Sequence, residues 1–480
     1  MQVIHISFEC YPVAKAGGLA DVVGSLPKYL QQLDVDSWVV MPHFDIEWVR
    51  NHQFDTVHHG FARMGEERFE YRVVHEAGGI LGFPLYLVDI PGRLDRPGIY
   101  IDPHSDFPYW DEFERFVSFQ IAVLDWLKSF SKKPDIIHCH DHHTALIPFF
   151  MTSSPVYHEF STKPSVLTIH NGHYQGWYGS GKRSLLPKIN PDREGFLYWN
   201  GQINALSAGI RTSWSITTVS KSYLYELQHS SKGLESLLSY EHKKSLGIIN
   251  GIDTNVWDPE TDELLIQNYD SGTFSHGKQK NKEWLCKQFG FDPSHPLYSF
   301  IGRLVDEKGA DILPDLISRY LESGLKGNFL ILGTGEPWLQ NKFMEMKQYY
   351  AGSFNASLTY DEKLAHRIYA GSDFIIMPSR VEPCGLNQMY AMRYGTLPIV
   401  RSIGGLRDTV IDFSQPKGYG ILFDHYNLDD ACFALQRAAE LYSDDSLKKK
   451  LQKRAMSKDF SWYNSAKQYY NLYLSLIKDK

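Results

Sequence analysis

The sequence predicts an α/β protein made of two doubly wound parallel sheets. Short buried-strand runs alternate with helical spacing of apolar residues in both halves of the chain. The 480 residues exceed a single ordinary core, since a domain takes roughly 150. The phrase GGLADVV from Gly17 returns as GGLRDTV from Gly404, each time just before an apolar helix, where paired glycines let backbone approach a ligand closely.

In the first half, Val3–Phe8, Ser37–Met41, Pro84–Asp89, Asp135–Cys139, Val166–His170 and Ser215–Val219 read as strands with helical patterns between most of them. In the second half, Leu297–Ile301, Asn328–Leu332, Phe374–Met377 and Leu397–Val400 play the same part, with helices over Ala310–Glu322, Pro337–Tyr349 and Asp361–Ala370. An Asn250-Gly251 turn followed by a polar stretch, Asp258–Lys282, marks the expected hinge. Residues 1–246 and 247–460 are therefore the expected domains. A C-terminal helix, with Tyr469, Tyr470, Leu472, Tyr473 and Leu476 at helical spacing, is expected to carry residues 461–480 back to the first.

Composition narrows the function. The net charge of −7 and the lack of any long Lys/Arg run disfavour nucleic acid and anionic membrane as partners. The N-terminus has no basic leader, and nowhere do about 18 apolar residues run together, so a soluble cytoplasmic protein is expected. Five cysteines without CxxC spacing argue against a disulfide framework and a structural zinc site. The 11 Trp, 29 Tyr and 27 Phe supply flat faces for a sugar or nucleotide.

The chemistry concentrates at predicted strand ends, where open parallel sheets bind ligands. Glu382 falls in the loop after Phe374–Met377, and the helix beginning near Cys384-Gly385-Leu386 offers free N–H groups to a phosphate. Arg303 and Lys308 follow another strand and can clamp a diphosphate, the arginine as a planar fork and the lysine as a compact charge, without calling on a metal. Lys15 is the analogous cation in the first half, beside Gly17 and Gly18. The pattern there is neither GxGxxG nor GxxxxGK[ST], which excludes an NAD fingerprint and a P-loop. His138, His140, Asp141, His142 and His143 cluster at one strand end and His170-Asn171-Gly172-His173 at the next. Their spacing matches no zinc motif. Asp141 and His170 are read as partners for sugar hydroxyls, the other histidines as polar packing. Cys384 reads as a small packed residue rather than a nucleophile, since no histidine stands near it in sequence.

Together these motifs resemble the bacterial glycogen synthases and plant starch synthases, retaining glucosyltransferases of the GT-B fold. The resemblance runs nearly end to end through KAGGLADVVGSLPKYL, HCHDHHTAL, TIHNGHYQG, TTVS, GIINGIDTNVWDPETD, GRLVDEKGAD and PSRVEPCGLNQMYAMRYGTLPIVRSIGGLRDTV. It implies two Rossmann-like domains facing across a cleft, the first on the acceptor side and the second on the nucleotide-sugar side. The implied reaction moves glucose from ADP-glucose to the nonreducing end of an α-1,4-glucan, glycogen included, with no cofactor. Carried onto this sequence, Asp141, His170, Arg303, Lys308 and Glu382 are the catalytic group. Lys15, Gly17, Gly18, Asp21, Asn171, Asn250, Tyr360, Cys384, Gly385 and Leu386 bind substrate, with Tyr360 as a face for adenine. UDP-glucose as donor, another acceptor, and a noncatalytic glucan or nucleotide-sugar sensor are the competing readings. The chain departs from the family at Ala16, at HCHDHH and at Gly172-His173, changes that bear on the acceptor side and remove no proposed charge.

Overall fold

The computed structural model describes residues 1–478. The chain forms two compact units. One contains Met1–Val219, Leu224–Ile248 and the segment from Trp462; the other contains Ser220–Tyr223 and Ile249–Ser461.

The first unit holds a nine-stranded sheet in the order Ser245–Gly247, Ser215–Thr218, Ser165–Ile169, Ile136–His140, Gln2–Ile6, Asp36–Pro42, Leu85–Asp89, Glu67–Glu76 and Phe54–Met64. The first seven run parallel, and apart from the edge strand Ser245–Gly247 they are largely buried on both faces, as parallel strands usually are. The last two form an antiparallel hairpin on the edge, so this sheet is mixed rather than wholly parallel. Only one face of the hairpin is covered: Phe69, Tyr71 and Val73 are buried while Arg68, Glu70 and Arg72 are exposed. A register shift between Thr56 and His58 further blurs the alternation by which such a strand is read.

Trp462–Lys478 is one helix, and its Trp462, Ala466, Tyr469, Leu472, Tyr473 and Leu476 pack on Val3, Val22, Leu26, Leu30, Ile136 and Val166 of the first unit. The C-terminal segment is thereby part of that unit's core. Polar atoms join the same contact. The Tyr473 hydroxyl lies 2.7 Å from His138 Nδ1, and His138 Nε2 lies 2.6 Å from Thr168 Oγ1.

The second unit is a six-stranded parallel sheet in the order Phe354–Ser357, Asn328–Leu332, Leu297–Ile301, Phe374–Met377, Leu397–Arg401 and Ile421–Phe423. The inner four match the expected strands closely. The two edge strands, only 4 and 3 residues long, lack the apolar run that reveals a central strand. The expected helix over Ala310–Glu322 is a 3₁₀ turn, Ala310–Ile312, leading into an α-helix, Leu313–Glu322.

The polar stretch after Asp258 is not a loose connection. Trp257 stacks between His366 and Tyr390, each ring centroid 3.9 Å away, and the buried Asp262 accepts from the Tyr394 hydroxyl at 2.5 Å. Helix Phe274–Phe289 begins inside the stretch, and its buried Lys278 donates to the carbonyls of Ala370 and Tyr394 at 3.0 and 3.2 Å. One ammonium thus caps the ends of helices Glu362–Gly371 and Asn387–Arg393.

Strand order locates the ligand edge in each sheet. The crossovers change direction between Gln2–Ile6 and Ile136–His140 in the first unit, and between Leu297–Ile301 and Phe374–Met377 in the second. Loops leave the carboxyl ends of such neighbouring strands in opposite directions and open a crevice. Those four ends carry the Lys15 loop, Asp141, the Arg303–Lys308 loop and Glu382. Among the described residues no helix is long and apolar enough to cross a membrane.

Tyr473→Phe keeps the ring and removes the hydroxyl that meets His138, leaving a buried ring nitrogen unpaired. The variant should unfold about 1–3 kcal/mol more easily in urea with an unchanged slope. Wild-type stability would show that this bond contributes nothing.

Candidate functional site

In the second unit two loops are bound to one another. Gly309, at φ +66°, sits so close to Pro378 that a Cβ there would lie 2.0 Å from its carbonyl oxygen. The backbone amides of Arg380 and Val381 donate to the Glu307 carbonyl at 2.9 and 3.2 Å. The Arg380 guanidinium grips Asp311 with two bonds of 2.6 and 2.7 Å. Lys308 is consequently carried to Glu382: its ammonium lies 2.7 and 2.9 Å from the two carboxylate oxygens, and Ser379 donates to one of them at 2.9 Å. Glu382 is 4% exposed. Arg303 stands apart, its side chain 66% exposed and in loose contact with Glu307 at 3.4 Å.

The second glycine pair works differently from the first. A Cβ on Gly404 would meet the Glu382 carbonyl oxygen at 2.0 Å, and one on Gly405 the Cys384 carbonyl oxygen at 2.0 Å. These glycines admit the Glu382–Cys384 loop, a close backbone approach within the protein itself. A Cβ on Gly17 or Gly18 would meet nothing within 4 Å, so there the space stays open. The Cys384 thiol is pushed up to about 12 by burial and is neutral, while the Asn250 backbone amide hydrogen-bonds its sulfur. Asn250 Oδ1 is buried with no hydrogen-bond partner among the described residues. Gly385, at φ +72°, and Leu386 lead into the helix, which starts at Asn387, two residues later than the spacing suggests. Tyr360, 83% exposed, follows the edge strand Phe354–Ser357.

In the first unit the Lys15–Gly18 loop is held by a residue that sequence reasoning missed. Glu9 accepts from the backbone amides of Ala16 and Gly17 at 2.6 and 2.8 Å and from the Tyr100 hydroxyl at 2.8 Å. An acid just past the first strand was its only local signal; Tyr100 lies 91 residues away and gives none. Lys15 bonds Asp21 at 2.7 Å across a half-exposed surface and lies 5.2 Å from the Tyr11 ring centroid.

Asp141, His170 and Asn171 come together at the end of the neighbouring strands. Asp141 has φ +56°, a left-handed conformation that short polar side chains tolerate. Its Oδ1 accepts from the His170 amide at 2.7 Å and more weakly from Asn171 at 3.4 Å, leaving Oδ2 without a partner among the described residues. Burial pushes its carboxyl up to about 7 despite those amides, and nearby Glu9 adds to the rise. Asn171 turns its own oxygen to the His173 amide at 3.0 Å. No described residue donates to the His170 carbonyl.

The remaining histidines are packed. His143 stacks on Tyr100 and Phe8 at 4.6 and 5.4 Å, and burial lowers the pKa of both His142 and His143. His5, His138 and His140 present ring nitrogens within 4.8 Å of one another. His5 Nδ1 pairs with His140 Nε2, His140 Nδ1 with His170 Nε2, and His138 with Tyr473 and Thr168, and among the described residues no carboxylate joins them to balance a cation.

Comparison with known proteins identifies the family of the chain. Residues 2–240 match the starch synthase catalytic domain family, and residues 281–458 match glycosyl transferases group 1. The chain is 48% identical to the glycogen synthase of Flavobacterium johnsoniae over the whole of both chains. It belongs to the glycogen and starch synthase family. A glycogen synthase of Streptococcus pneumoniae is 36% identical over 99% of this chain and all of its own. The catalytic domain of Arabidopsis thaliana starch synthase IV, solved bound to ADP and acarbose, is 33% identical with a TM-score of 0.87 over 99% of both chains. Sucrose-phosphate synthase from Thermosynechococcus elongatus, 17% identical with a TM-score of 0.63 over both whole chains, shares the fold. The protein is thus a glycosyltransferase with the two-domain GT-B architecture. For such an enzyme the second unit offers two cations at a switch point, one pinned to a buried acid and one extended, and the first offers an open glycine loop beside a near-neutral acid.

The Asp141 carboxyl titrates at about 7 in the folded protein against 3.8 without the fold. Its protonated form favours folding, so its contribution is complete below about pH 4 and is lost as pH rises through about 7. Asp141→Asn keeps an accepting oxygen and tolerates the left-handed backbone, yet cannot titrate. Between these limits wild type should lose up to a few kcal/mol through this group that the variant does not. Parallel stability–pH curves from urea melts would refute the assignment.

Proposed function

We propose that this glycosyltransferase is cytoplasmic and transfers glucose from ADP-glucose to the 4-hydroxyl at the nonreducing end of an α-1,4-glucan such as glycogen, with retention of anomeric configuration. The observation that carries this reading is the Lys308–Glu382–Ser379 cluster at the switch point, with Arg303 extended on the same edge. A departing nucleoside diphosphate needs such cations, because negative charge grows on its bridging oxygen as the glucosyl bond breaks. The relative solved with ADP and acarbose supports a nucleotide and a glucan-like ligand for the family.

In this reading Arg303 and Lys308 hold the diphosphate, joined by Lys15 and by backbone N–H groups at Gly18, Gly385 and Leu386. Glu382 keeps the Lys308 ammonium aimed. Tyr360 offers its exposed face to adenine. Asp141 and His170 take sugar hydroxyls, with Asn171, Asn250 and Cys384 around the glucose and Asp21 positioning Lys15. The unclaimed His170 carbonyl suits the positive charge that develops at the anomeric carbon. The C1–O bond breaks with its electron pair leaving on ADP, the acceptor O4 attacks the same face, and its proton passes to the departing phosphate oxygen.

Purified protein incubated with radiolabelled ADP-glucose or UDP-glucose and glycogen decides the matter. Label should enter polymer faster from ADP-glucose. Tight donor binding without incorporation would instead mean a sensor, and faster incorporation from UDP-glucose would change the donor. Arg303→Ala is the cleanest variant, because the exposed side chain supports little of the fold. Turnover should fall at least about 100-fold, a loss typical of removing a group that meets transition-state charge, with the melting temperature unmoved. Glu382→Gln should also lower turnover, now with some loss of stability, since a partly buried ammonium loses its counter-charge.

A further inference from the structure

Behind His170 runs a chain of imidazoles that neither the fold nor the proposed reaction explains. His5, His140 and His170 stand on or just past three adjacent parallel strands, Gln2–Ile6, Ile136–His140 and Ser165–Ile169. His5 Nδ1 lies 3.1 Å from His140 Nε2, and His140 Nδ1 lies 3.0 Å from His170 Nε2. His5 and His140 are fully buried and His170 is 8% exposed. At one end His5 Nε2 is buried with no partner among the described residues. At the other, His170 Nδ1 meets no hydrogen-bonding group among the described residues.

The three rings are neutral at working pH, since burial lowers the pKa of His5 and His170 to about 3 and holds that of His140 well below the ordinary value. A neutral imidazole has one N–H and one lone pair, so two linked bonds admit two arrangements. In one, His5 donates through Nδ1, His140 donates onward through Nδ1, and His170 accepts at Nε2 and carries its proton on Nδ1. In the other, every proton moves to Nε2, and His5 buries an N–H with no acceptor. An orphaned buried donor is rarer and costlier than a bare lone pair.

We infer that His5 and His140 are positioning residues which fix His170 as its Nδ1–H tautomer and so make it a hydrogen-bond donor toward a bound ligand. The polarity starts at the empty end of the chain, at His5, out of reach of any ligand that His170 touches. The ligand that His170 serves must then present an oxygen acceptor at Nδ1. A sugar hydroxyl or carbonyl oxygen qualifies, whereas a donor-only group such as an ammonium does not. Naming that oxygen as a glucosyl hydroxyl rests on the proposed function; the tautomer does not.

Nitrogen-15 NMR of histidine-labelled full-length protein tests the inference directly, with His170 assigned by its loss in His170→Gln. Nitrogen shifts and two-bond proton couplings at pH 7 should show His170 protonated on Nδ1 alone. An Nε2–H ring or an imidazolium would overturn the inference. His5→Gln offers His140 an acceptor as well as a donor, releasing the constraint. An Nε2–H population of His170 should appear, and kcat/KM for the sugar donor should fall about tenfold. A merely structural histidine would leave the tautomer unchanged, and an unchanged His170 spectrum in the folded variant would overturn the role of His5. Absence of glucosyl transfer by wild type would sink the proposed reaction while leaving the spectrum as the judge of the imidazole chain.

Discussion

The second unit depends on the ion pair between Lys308 and Glu382, buried at the acid's end and partly open at the ammonium's. A carboxylate so enclosed is costly unless its oxygens are satisfied, and here the ammonium and Ser379 satisfy them. Breaking such a pair costs more than forming it contributes, so the pair holds its two loops in one relation. The surrounding features serve that relation. Gly309 lets one loop touch Pro378, Gly404 and Gly405 let the next helix close over Glu382 and Cys384, and Arg380 locks onto Asp311. A lysine fixed in this way presents charge without first losing side-chain freedom, which is the form of preorganisation that electrostatic stabilisation needs.

The first unit solves the same problem with hydrogen bonds in place of an ion pair. Glu9 holds the Lys15–Gly18 loop by its amides, and Asp141 holds the His170 loop by its amides. Both acids are buried without a cationic partner among the described residues, and burial raises the pKa of both. Their proximity adds to the rise, because neither can ionise without feeling the other. The open space over Gly17 and Gly18 is the counterpart of this clamping: backbone is held back so that something else can approach. His170 is fixed twice, through its amide by Asp141 and through its ring by His140.

Much of the fold was legible because central parallel strands are continuous apolar runs. Asn328–Leu332 and Phe374–Met377 occupy the residues that the runs indicate. The hairpin Phe54–Glu76 was not, because its exposed face and register shift spoil both the run and the alternation. The edge strands Phe354–Ser357 and Ile421–Phe423 were too short to register. At the site, charged residues next to strand ends could be found by position, which is how Lys15, Asp141, Arg303, Lys308 and Glu382 were singled out. Glu9, Ser379 and His140 act through partners, and a partner's identity is not local.

By itself the sequence determined the alternation of strand and helix, the placing of cations and acids after strands, and the family. These properties are set by neighbours within a few residues along the chain, where periodicity and turn chemistry operate. Only the tertiary structure decided what each group is used for. It showed that Glu382 binds Lys308, that one glycine pair faces open space while the other faces backbone, and that His5 reaches His170 through His140. Those outcomes depend on distances between residues 74 and 135 positions apart, as for Lys308–Glu382 and His5–His140, and sheet order rather than chain order sets such distances.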